Sequence, residues 1–153
     1  MNPCCSAFGC DDLEGVTKVD LDRFTDKIDN VLGDEKGRKL FKNYMITCKM
    51  KGGQRVLEFW EKADRLSDYR KDSEDPSFRK YLSDVDRLID DSERIEQLDY
   101  DVIKNLFDAR EEEDQEKLVE TLKVLKVECS KALRKEYHKF RVHYIPMKYK
   151  YFA

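Results

Sequence analysis

A chain of 153 residues, 40% apolar and 41% charged, has room for one domain with a modest core and an unusually charged surface. Eight Phe, eight Tyr and one Trp argue against disorder, and six Gly with three Pro are too few to punctuate a β-sandwich or barrel. A net charge of −3 makes no global case for nucleic acid, and no apolar run is long enough to cross a bilayer.

The chain begins with MNPCCSAFGC, where Cys4, Cys5 and Cys10 crowd ten residues without a preceding apolar leader. A secreted disulfide framework is therefore not expected. The only histidines, His138 and His143, lie far away, so no zinc set forms and no metal or cofactor is expected. A short uncharged segment with thiols beside Phe8 has the character of a reversibly S-acylated tail on Cys4, Cys5 and Cys10. Its plain alternative is a flexible tail, residues 1–16, with incidental reduced cysteines. Asn2 excludes N-myristoylation.

From Val16 to Leu32 the apolar positions Leu21, Phe24, Ile28, Val31 and Leu32 form one helical stripe, which Gly33 should end in the left-handed manner. Asp34 can cap a second stripe of Leu40, Phe41, Tyr44, Met45 and Cys48, expected to stop at Gly52-Gly53. Val56, Leu57, Trp60, Ala63 and Leu66 form a third. Asp75-Pro76 signals the start of a fourth, with Phe78, Tyr81, Leu82, Val85, Leu88 and Ile89. Asp99 can cap a short helix holding Val102, Ile103, Leu106 and Phe107. The last stripe runs from Leu118 through Leu122, Leu125, Cys129, Leu133 and Tyr137 to Phe140. It reads as one long helix, or two with a kink, ending at Pro146. Cys48 and Cys129 fall on apolar faces and read as small buried hydrophobes. Six or seven amphipathic stripes with short links describe an all-α bundle.

Charge is unevenly placed. Residues 1–35 carry nine acids against three bases, and residues 131–153 carry seven bases against Glu136 alone. The two ends either lie beside each other and compensate, or leave a basic face for an anionic membrane surface or an acidic partner. Chemistry is scarce. No phosphate loop, His-Glu-x-x-His helix or Cys-x-x-Cys pair is present, and Glu111–Asp114 does not match a calcium loop. An enzyme is not expected.

Four short stretches are more specific. Gly37-Arg38-Lys39-Leu40-Phe41-Lys42-Asn43-Tyr44-Met45 is followed by Val56-Leu57-Glu58-Phe59-Trp60, then Ile95-Glu96-Gln97-Leu98-Asp99, then Tyr137-His138-Lys139-Phe140. Together they resemble the regulator of G-protein signalling (RGS) box: its third and fourth helices, the segment before its sixth, and its final helix. The resemblance implies an all-α bundle of about seven to nine helices over residues 17–145, with 146–153 as a basic, aromatic tail. It implies a partner, the Gα subunit, whose GTP hydrolysis such domains speed by holding its own catalytic groups in place.

Matched to that family, the Gα-facing positions are Lys51, Gly52, Val56, Gln97, Lys135 and Lys139. Lys51 stands where the family has an acid, Gly52 near an aromatic, Val56 on the Asn that opens the fourth helix, and Gln97 on another amide. Lys135 falls near an Asp and Lys139 near an Arg. With no amide at Val56, the resemblance implies weak or Gα-selective activation, or an RGS-like scaffold without it. The site implied is cytoplasmic, peripheral to the inner plasma membrane.

Overall fold

The computed structural model describes residues 13–71 and 74–152, so Cys4, Cys5 and Cys10 lie outside the described residues. Among the described residues there are eight α-helices and no strand: α1 (Lys18–Asp26), α2 (Ile28–Leu32), α3 (Glu35–Thr47), α4 (Lys51–Ser67), α5 (Ser77–Ser92), α6 (Tyr100–Glu111), α7 (Gln115–Ala132) and α8 (Arg134–Tyr151). The all-α bundle of seven to nine helices is thus what the described residues form. They divide into two compact units, residues 1–54 with 133–153, and residues 55–132. None is long and apolar enough to cross a membrane.

The first unit begins with a capping box. Asp20 N–H donates to Thr17 Oγ1 and Thr17 N–H to the Asp20 carboxylate, both at 3.0 Å. The apolar stripe that reads as one helix to Leu32 is broken at Lys27, whose extended backbone (φ −141, ψ 143) separates α1 from α2. The break is held by side chains that take up the last carbonyls of α1. Asn30 Nδ2 donates to Arg23 O at 3.0 Å, Tyr137 Oη to Phe24 O at 2.8 Å, and Arg141 Nε to Thr25 O at 2.6 Å. Two of those three donors come from α8, more than a hundred residues away, so no local pattern could announce the break.

Gly33 keeps a right-handed φ of −78 and is the cap residue of α2, not the left-handed terminator expected of it. Gly37 does have a steric reason to be glycine. A Cβ there would stand 2.8 Å from Val31 O and 3.0 Å from the Phe24 ring, so α3 crosses α2 in backbone contact. Asp34 caps α3 as expected, accepting from Lys36 N–H at 2.8 Å and Gly37 N–H at 3.3 Å. The core of the unit is aromatic. Phe41 and Tyr44 on α3 meet Tyr137, Phe140 and Tyr144 on α8 with ring centroids 5.1–6.2 Å apart, mostly edge to face. The acidic start and basic end of the chain do meet here, through Lys148 and Asp22 at 3.1 Å.

The second unit is built on the rest of α4 with α5, α6 and α7. Val56, Leu57, Phe59, Trp60 and Ala63 are buried, as the helical spacing requires, with Lys126 of α7 5.3 Å above the Trp60 ring and 2.7 Å from Asp64. Asp75 opens α5 by accepting from Ser77 N–H at 2.9 Å and Ser77 Oγ at 2.6 Å. Tyr81 stacks on Tyr69 at 4.1 Å, and burial pushes its hydroxyl pKa up. Arg110 of α6 grips Asp86 of α5 with two bonds of 2.7 and 3.0 Å. The acidic run Glu111–Asp114 closes α6 and leads into α7. Glu113 turns left-handed (φ 53), Glu112 pairs with Lys117 at 2.7 Å, and only Asp114 caps α7, accepting from Glu116 and Lys117.

At the end of the chain, the long stripe is two helices that part at Leu133 (φ −90, ψ 5). Pro146 does not end the second: α8 continues through it to Tyr151, so residues expected as a tail are largely helical. Pro146 is solvent-exposed, so the Val142 carbonyl that loses its helical donor can be hydrated.

Candidate functional site

The surface implied by the four motifs starts at the link between α3 and α4. α3 ends at Thr47, five residues before the glycine pair expected to stop it. Lys49 takes a left-handed φ of 58, Lys49 N–H donates to Ile46 O at 3.1 Å, and Met50 N–H donates to Met45 O at 2.8 Å. This is a Schellman turn with lysine in the place glycine usually fills. α4 therefore begins at Lys51, and Gly52-Gly53 lie inside its first turn.

That shift changes what each neighbouring residue can do. Lys51 is exposed and Gly52 half-buried. Gly53 is buried, and a Cβ on it would stand 2.6 Å from Met45 Sδ and 2.8 Å from Glu136 Cγ. Its missing side chain lets the first turn of α4 approach the first turn of α8. Glu136 Oε2 is buried there without a hydrogen-bond partner among the described residues. Gln54 is half-buried, its amide donating to Met45 O at 3.1 Å. Val56 is fully buried. It lies in the second turn of α4, facing the core, and does not reach a partner. An Asn in its place would bury an amide rather than present one.

Lys135 and Lys139 are exposed on the first turns of α8, and Glu136 beside Gly53 brings that turn to the start of α4. Lys51, Gly52, Lys135 and Lys139 thus belong to the first unit. Among the described residues none of these three lysines forms an ion pair, so this part of the surface is positive. Val56 and Gln97 belong to the second unit. Gln97 is exposed in the turn after α5, which is anchored by buried Ile95 through Ile95 N–H to Ser92 O at 3.0 Å. It can offer an amide to a partner.

Of the six positions that the RGS resemblance implies, five have solvent-reachable side chains or backbone and Val56 does not. Cys129 is fully buried as expected, and burial pushes its thiol up to about 12. Cys48 is half-buried at the cap of α3. Sequence reasoning missed the roles of Tyr137 and Arg141 as caps of α1, and only the unusual aromatic density of the last stripe hinted at them. Among the described residues no three His, Cys, Asp or Glu side chains group as a metal-ligand set. Set against known protein families, curated proteins and solved structures, the chain matches none of them.

Proposed function

We propose that this protein is an RGS-like helical module that binds Gα subunits and damps G-protein-coupled signalling at the cytoplasmic face of the plasma membrane. It is no enzyme in its own right; it acts on a partner's active site. The observation that carries this reading is the placement of the four motifs. Gly37–Met45 lies on the third helix, Val56–Trp60 on the fourth, Ile95–Asp99 ahead of the sixth, and Tyr137–Phe140 on the last.

Acceleration on such a surface comes from polar contacts made when the partner's switch regions adopt the transition-state arrangement. Gln97 offers an amide; Val56 is in the core and Gln54 is tied to Met45 O. Losing one such contact typically lowers a rate by ~10²–10³, so acceleration is weak. The same two residues favour a second reading, an RGS-like scaffold that binds Gα without activating it. S-acylation of Cys4, Cys5 and Cys10 would supply membrane residence in either case.

Single-turnover GTP hydrolysis by a panel of Gα subunits, with the full chain added, tests the first reading. Weak acceleration on at least one Gα is the expected result. Binding to Gα held with a transition-state mimic but no acceleration would favour the scaffold, and no binding would refute both. Hydroxylamine-sensitive acyl exchange in cells tests the three cysteines, and no exchange at any of them removes the lipid anchor.

A further inference from the structure

The helix α8 has three distinct sides. Tyr137, Phe140 and Tyr144 point into the aromatic core, and on the next flank Arg141 and Lys148 are engaged by α1 through Thr25 O and Asp22. The outward side carries Lys135, His138, Lys139, Val142, Pro146, Tyr149 and Lys150, all exposed. At about 100° per residue these seven fall within roughly a third of the helix circumference, and no acid lies among them.

From this side we infer that α8 is a peripheral membrane-binding helix, lying with its outward side along a bilayer that contains anionic lipid. Charge complementarity supports it, since Lys135 and Lys139 have no ion-pair partner among the described residues and Lys150 contacts only the Tyr151 ring, at 5.3 Å. Apolar exposure selects the bilayer over a purely ionic partner. Val142 is 60% exposed and Tyr149 68% exposed, interleaved with the lysines, and a tyrosine at a headgroup boundary keeps its ring in lipid and its hydroxyl in water. The basic end of the chain that α1 leaves uncompensated is thus an organised side of one helix rather than a charge excess. Lysine attraction of this kind is worth about fivefold per residue near an anionic leaflet.

The inference does not rest on the Gα reading, and its test contains no Gα. The full chain, with its cysteines reduced and unacylated, is sedimented with vesicles of phosphatidylcholine alone or with about 30 mol% phosphatidylserine. Binding at least tenfold stronger to the anionic vesicles, weakening as salt is raised, is expected. Lys139→Glu with Lys150→Glu should abolish most of that difference. Tyr149→Ser should weaken binding severalfold at unchanged charge, while Lys80→Glu on α5 should leave it unaltered. Since all these side chains are exposed, unchanged thermal melting checks that each variant folds. Equal binding to both vesicles, or indifference to the α8 substitutions, would overturn the inference. So would a Tyr149→Ser variant that binds as the parent does, together with a duplex oligonucleotide displacing the vesicles, since that pattern belongs to a nucleic-acid surface.

Discussion

Replacing Tyr137 by Phe removes one oxygen and nothing else. In the folded chain that oxygen donates to Phe24 O at 2.8 Å from a buried position and closes the last turn of α1. With the donor gone, a shielded carbonyl loses a partner that water cannot fully replace, so Tyr137→Phe should cost about 1–3 kcal/mol at neutral pH. The same group has an alkaline signature. Burial favours the neutral phenol and pushes its pKa from 10.0 up to about 12, outweighing the opposing pull of Arg141. Its contribution is whole below pH 10 and disappears as the pH rises towards 12. That is worth about 1–2.5 kcal/mol once the solvent at the ring edge is allowed for. Urea denaturation of both proteins from pH 7 to pH 12 reads the two effects separately, because the other tyrosines cancel in the difference. The variant should be less stable at pH 7, and the gap should narrow above pH 10, where only the parent has this phenol to ionise. Equal stability at pH 7 would refute the capping of α1 by α8, and a gap that stays constant through pH 12 would refute the burial of the Tyr137 phenol.

Gly37→Ala gains about 1 kcal/mol of helix propensity but drives a methyl into the Val31 backbone, so a net loss of about 1–2 kcal/mol should appear in chemical denaturation. Lys49→Gly relieves the left-handed turn after α3 and should stabilise by about 0.5–1 kcal/mol in the same assay, whereas a loss would mean the Schellman turn is misassigned. Trp60→Ala empties a buried site and should cost about 3–5 kcal/mol, so a melting curve like the parent's would refute its assigned helix face.

Local periodicity made most helical faces legible in the sequence, although in α6 only Leu106 of the expected stripe is buried and Phe107 is exposed. The helical faces of Phe41, Trp60, Leu88 and Leu125 follow from spacing alone, and Asp34 and Asp75 sit at helix starts where short acceptors are favoured; Asp99 also stands at a helix start, but its side chain makes no cap bond to α6. Boundaries failed where tertiary contacts or an unusual residue decided them. Lys27 and Leu133 break continuous stripes without Gly or Pro, the first because Tyr137 and Arg141 supply caps from the far end of the chain. Lys49 adopts a conformation normally signalled by Gly, while Gly52-Gly53 carried the signal and lie inside a helix. Val56 lies on the core stripe that its spacing gives it, in the second turn of an α4 that starts at Lys51, and not on the partner-facing surface that the RGS resemblance implies, the largest change to the candidate site. Pro146 failed in the opposite sense, since an exposed carbonyl lets a helix run past it.

Equilibrium binding of the full chain to Gα held with a transition-state mimic bears most directly on the proposed function. Saturable binding to at least one Gα class is expected, weakened by Gln97→Ala and altered by Lys51→Glu at the start of α4. Lys51→Glu restores the acid that the RGS resemblance implies at that position, so stronger binding is the expected direction. Absence of binding to every Gα class, by a chain whose thermal melting shows it folded, would contradict the proposal.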